Sequence, residues 1–139
     1  MLERLNRHEQ RCLMELLVYL TRADHTVMEA KREMLREYSE LLEVELDSLD
    51  KTLTPEEVVP QFQSPASRVI VLQELFRLAR LDGNFTIIEQ SVLLDIASMM
   101  GFPMELVQKI ETWVVDGLEW TLRGEDLLDE AAHTILRKA

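Results

Sequence analysis

Apolar residues recur every three or four positions along nearly the whole chain. Leu2, Leu5, Cys12, Leu13, Leu16, Leu17 and Leu20 form one stripe, which predicts an amphipathic helix in the first segment. Thr26 and Glu29 stand three apart as a capping box, opening a helix whose expected buried face is Met34, Leu35, Tyr38, Leu41 and Leu42. Residues 43–63 are less regular and predict short helical turns, one opened by Thr54, Pro55, Glu56 and Glu57 with proline at the first helical position. Ser64 and Pro65 open the next long helix, through Val69, Leu72, Leu75, Phe76 and Ala79. Its end is expected at Asp82-Gly83, because glycine takes the left-handed cap conformation.

Thr86 and Glu89 form a second capping box, ahead of Val92, Leu93, Ile96, Met99 and Met100. Gly101 stops that helix. Pro103 opens another, through Leu106, Val107, Ile110, Trp113 and Val114, with a bend expected near Gly117. A last helix is predicted from Asp126 to Lys138. No window alternates with period two, so no strand is expected. Trp113 and Trp120, seven apart on one face, are expected in the core, as are the methionines.

A shift of 58 residues superimposes core positions without a gap. Leu17 falls on Leu75, Asp24 on Asp82, Met34 on Val92, Leu35 on Leu93 and Leu42 on Met100. The expected fold is therefore all-α: a bundle of six or seven helices in one domain spanning residues 1–139. Two helix-loop-helix repeats, about 12–43 and 70–101, would be related by approximate two-fold symmetry.

Composition adds limits on chemistry. The formal charge is −11, and residues 37–57 hold eight acidic groups against Lys51 alone. Such a chain repels phosphate backbones and anionic leaflets, so neither nucleic acid nor a membrane surface is an expected partner. The acidic stretch suits a solvated face, or alternatively a basic protein partner. Cys12 is the single cysteine, and the opening residues lack the apolar core of a signal peptide, so a cytoplasmic setting is expected.

The segment Leu78-Ala-Arg-Leu-Asp82-Gly83-Asn-Phe-Thr86-Ile-Ile-Glu89, followed by Leu93-Leu-Asp-Ile-Ala97 and Met100-Gly101, resembles the TerB-like family. That family's pattern is roughly ADGxhSxxE, an apolar helix, then hG. It includes tellurite-resistance proteins and the N-terminal domain of membrane-anchored DnaJ-type co-chaperones. The resemblance is carried by residues 68–124 and, through the weaker first copy, by most of the chain. It implies a helical bundle of two related halves, a soluble non-enzymatic role in stress or tellurite resistance, and a metal-binding role for acidic positions. The first copy departs from the pattern, with His25 in the place of Gly83 and Lys31 in the place of Glu89.

Asp82, Asn84, Thr86 and Glu89 are the sharpest cluster. Oxygens at alternate positions resemble the start of a calcium loop, but Ile87 and Leu93 stand where an EF-hand needs glycine and glutamate, so an EF-hand is excluded. Two roles remain open: helix capping, which is preferred, and a weak divalent site holding calcium or magnesium between Asp82 and Glu89. Asp24 or Glu29 could complete such a site from the other repeat. His8, His25 and His133 lack zinc-ligand spacing, Cys12 sits in an apolar stripe, and no phosphate-loop or nucleophile-elbow motif occurs. No catalytic residue and no firm cofactor are assigned. The expectation is a non-enzymatic module with protein partners, a homodimer being left open. The alternatives are an adaptor of co-chaperone type using its acidic surface and, behind it, a metal-dependent hydrolase.

Overall fold

The computed structural model describes residues 1–23 and 29–138. These residues form six helices: α1 (Arg7–Ala23), α2 (Glu29–Leu42), α3 (Pro55–Val58), α4 (Pro65–Arg80), α5 (Ile87–Met99) and α6 (Met104–Lys138). Single 3-10 turns lie at Leu2–Arg4, Leu46–Ser48 and Val59–Gln61. The described residues form no strand, and none of their helices is long and apolar enough to cross a membrane. Thr26 of the first expected capping box lies outside the described residues, as do Asp24 and His25.

The core is built around α1 and α4. α1 packs on α2, α3, α4 and α5, while α4 also receives α2 and α6. Leu13, Leu16, Leu17 and Leu20 of α1 meet the same core as Val71, Leu72, Leu75 and Leu78 of α4. Nine of the sixteen residues of α4 are buried, so this helix is surrounded on most sides. Its start follows the sequence: Ser64 Oγ accepts from Ser67 N at 3.0 Å, and Pro65 supplies the first helical residue.

Helix ends are set by backbone chemistry at three places. Gly83 has φ +75° just after α4, as its position predicts. Gly101 has φ +80° after α5, where Phe102 N donates to Ala97 O and Gly101 N to Ser98 O. Glu43 has φ +53° after α2, and there Val44 N donates to Ser39 O and Glu43 N to Glu40 O. The two caps share one hydrogen-bond pattern and stand 58 residues apart, although one uses glutamate where the other uses glycine. Each also has an arginine on its last carbonyl: Arg7 donates to Leu42 O, and Arg68 to Met100 O.

The expectations for α6 and for several buried positions need correction. The last two predicted helices are one continuous helix, with no break at Gly117 and no start at Glu125-Asp126. Glycine inside a helix costs about 1 kcal/mol relative to alanine, too little to break a run of helix formers. Gly101 does stop its helix, because Phe102 turns back onto the core and Pro103 follows. The other corrections concern burial. Trp113, Leu41 and Met99 are exposed, since Val114, Leu42 and Met100 beside them fill the core-facing sides of their helices, and Trp120 is exposed because it lies in the part of α6 beyond Leu118, where every described residue through 136 is exposed. Met14, Met34 and Met100 are buried as expected, but Met1 and Met104 are not.

Candidate functional site

The segment joining α4 to α5 carries the predicted carboxylates. Asp82 Oδ1 accepts from Asn84 N at 3.0 Å, a tight turn closed by the side chain. Thr86 Oγ1 accepts from Glu89 N, and Thr86 N donates to Glu89 Oε1, both at 3.1 Å. This is the capping box expected from the sequence.

Lys31 of α2 reaches into the same turn. Its Nζ donates to Glu89 Oε1 and Oε2, both at 2.9 Å, and to the Asn84 carbonyl at 3.0 Å. Asp82 Oδ1 lies 3.8 Å away. Lys31 and Glu89 are both buried, at 2% and 1% exposure, so water neither screens nor solvates the pair. Glu89 thus caps α5 with one edge and ties α5 to α2 with the whole carboxylate. The structure brings Asp82 and Glu89 together, and the ammonium of Lys31 stands between them. Asp24 lies outside the described residues, and Glu29 is exposed, 3.6 Å from Arg36. Among the described residues, no group of three or more His, Cys, Asp or Glu side chains is placed to hold a metal ion.

A second buried polar contact joins α2 to α4. Tyr38 O–H donates to Glu74 Oε2, and Arg77 Nε lies 3.8 Å from the same oxygen. Burial pushes the Tyr38 phenol above its ordinary pKa, and the Glu74 charge adds to the effect. Above them is an open cleft of about 550 Å³, walled by Met1, Leu2, Met34 and Leu41 and edged by Glu37 and Arg77. Cys12 is buried in α1, and its thiol is pushed up to about 11 by desolvation and by Glu15 and Glu9. That leaves the thiolate scarce at neutral pH, against a nucleophilic role. His8 faces Gln61 at 3.0 Å and Cys12 Sγ at 3.7 Å.

The third feature is α6. Its first half lies on α4, with Val107, Ile110 and Val114 buried. Arg80 holds it there through Glu111 at 2.6 Å, while its guanidinium sits 4.3 Å above the Phe85 ring. Beyond the half-buried Leu118, every residue from 119 to 136 is exposed. Trp120, Leu127, Leu128 and Ile135 are 74%, 64%, 72% and 68% exposed. On a helix these four fall along one side, together with Gly124 and Ala131.

Neither a protein-family model, nor a curated protein, nor a solved structure matches the chain. Sequence reasoning missed two parts of this arrangement. Lys31 was visible only as a departure from the repeat, although opposite charges at the two equivalent positions were a usable signal for a pair. Of the exposed stripe of α6, only Trp120 carried an expectation, and it was the core, because periodicity marks an apolar face without saying what covers it.

Proposed function

We propose that this chain is a non-catalytic protein-interaction module of TerB-like type, and that it docks through the apolar stripe on the second half of α6. The observation that carries this reading is the exposure of Trp120, Leu127, Leu128 and Ile135 along one side of a helix that has no neighbour there among the described residues. Soluble chains rarely leave a contiguous apolar stripe in water, and aromatic side chains are enriched at interface centres. The acidic residues beside the stripe keep the free form soluble and bias it against nucleic acid.

In this reading the Asp82 and Glu89 carboxylates are structural. Lys31 supplies from within the chain the positive charge that a divalent cation would otherwise bring, so the loop is held without calcium or magnesium. The two helical pairs, 12–43 and 70–101, are read as copies of one unit. Two observations support that: the matched caps at Glu43 and Gly101, and the pairing of Lys31 with Glu89, whose positions also differ by 58. Groups equivalent under a two-fold axis meet when they lie near it, and a lysine facing a glutamate removes the repulsion that two glutamates would feel there.

Photo-crosslinking in cells tests the docking element. A crosslinking residue at Ala131, on the stripe, is expected to give discrete protein adducts, and one at His133, on the opposite side, is not. Equal adducts at both positions, or none at Ala131, would overturn the reading.

A further inference from the structure

Along the exposed half of α6, large and small residues alternate in a seven-residue pattern. Trp120 and Leu127 occupy one set of positions, and Gly117, Gly124 and Ala131 the intervening set. Thr121, Leu128 and Ile135 continue the stripe on one flank. On the other flank stands a row of charges, Asp116, Arg123 and Glu130, whose sign alternates at each seventh residue. That spacing keeps each set on one line along the helix.

We propose that the partner at this stripe is a second copy of the chain, joined by antiparallel pairing of the two α6 helices. The inference rests on the reading of the stripe as the docking element and adds the identity of its occupant. When the helices run in opposite directions, one register satisfies every row at once. Trp120 lies over Ala131 of the partner subunit, and Leu127 over Gly124 of the partner subunit, so each large side chain enters a space left by a small one. In that same register Arg123 stands beside Glu130 of the partner subunit. The two-fold axis repeats the pair, giving two contacts of opposite charge.

A parallel arrangement loses this match. It sets the charged row against the other flank, which carries apolar Leu128 and Ile135, and it sets Gly124 against itself. Area is consistent with a stable pair as well. At the exposures given above, the four large side chains offer roughly 600 Å² of apolar surface per chain, against about 800 Å² per partner buried in a standard interface. The small residues and the charged flank supply the remainder. Gly124 has open space around the position of a side chain, with no atom within 4 Å, so its lack of a Cβ serves nothing inside the free chain.

Sedimentation equilibrium of the full chain from 1 to 100 μM tests the proposal. The native protein is expected to reach twice the chain mass within that range. Gly124→Leu is the decisive variant. It adds apolar surface and helix propensity, so a merely sticky stripe would associate more tightly, whereas the register requires that the new side chain block Leu127 and weaken the dimer at least tenfold. Arg123→Glu should weaken it too, and Arg123→Glu with Glu130→Arg should restore it, because only antiparallel pairing brings those rows together. All these positions are exposed, and circular dichroism and thermal melting check that each variant folds. A native chain that stays monomeric at 100 μM overturns the proposal, as does a dimer whose mass is unaffected by Gly124→Leu and Arg123→Glu. If the native chain is monomeric while Ala131 still crosslinks to another protein in cells, the docking reading survives and the second copy is excluded. If both fail, neither stands.

Discussion

The part of the protein before Leu118 and the part of α6 after it use similar residues to opposite ends. In the bundle, buried charged groups find partners: Lys31 meets Glu89 and the Asn84 carbonyl, and Glu74 meets Tyr38. In the projecting half of α6, apolar groups are exposed and unmatched. Val107, Ile110 and Val114 are as apolar as Leu127, Leu128 and Ile135, and both triplets sit on one helix. Only the first triplet has α4 across from it. Helix formation and burial are therefore separable here, because the hydrogen bonds of the helix are local and its packing is not.

This contrast can be broken or sharpened by substitution. The largest effect is expected at the buried ion pair. Lys31→Met leaves the Glu89 carboxylate buried without its cation and should cost about 3–5 kcal/mol of unfolding free energy in urea titration. Lys31→Met with Glu89→Met should recover most of that loss. If the single variant is as stable as the native protein, the pair is not holding the loop.

Next come matched truncations on the two halves of α6. Ile110→Ala is expected to cost about 2–4 kcal/mol, as buried large-to-small changes do. Leu128→Ala should change the stability of the dissociated chain by under about 0.5 kcal/mol, the usual range for surface positions. Similar losses at the two sites would mean that the second half of α6 folds back onto the bundle.

Gly83→Val should cost about 1 kcal/mol or more, because a β-branched residue is strained at positive φ. No atom lies within 4 Å of the added Cβ, so the cost is conformational alone, and Gly83→Asn should be milder. The smallest effect is expected at the matching cap of α2. Glu43 already holds φ +53°, so Glu43→Gly should raise stability by a few tenths of a kcal/mol up to about 1 kcal/mol in thermal melts. A loss on Glu43→Gly would show that the glutamate side chain contributes more than its backbone costs.

Local grammar was legible in the chain. The Ser64 cap, the Thr86 box, the left-handed Gly83, the stop at Gly101 and the short turn at Pro55 follow from residue chemistry within a few positions, and all are found. The Glu43 cap was not legible, since glutamate does not announce positive φ; the Arg7 side chain that holds its carbonyls arrives from α1. The proximity of Asp82 and Glu89 could be read from the capping turn, but the lysine between them could not.

What the sequence determined alone is whatever depends on neighbours along the chain: helix type, the helix ends marked by Ser64, Gly83, Thr86 and Gly101, and apolar stripes. Which stripe is covered depends on the third dimension. Leu41, Trp113 and Trp120 fit their stripes as well as Leu42 and Val114 do, yet only the latter two find another helix opposite. The same reason decides the charges. Glu89 alone reads equally as a cap or a cation ligand, and packing α2 against the α4–α5 turn places Lys31 within 2.9 Å of it.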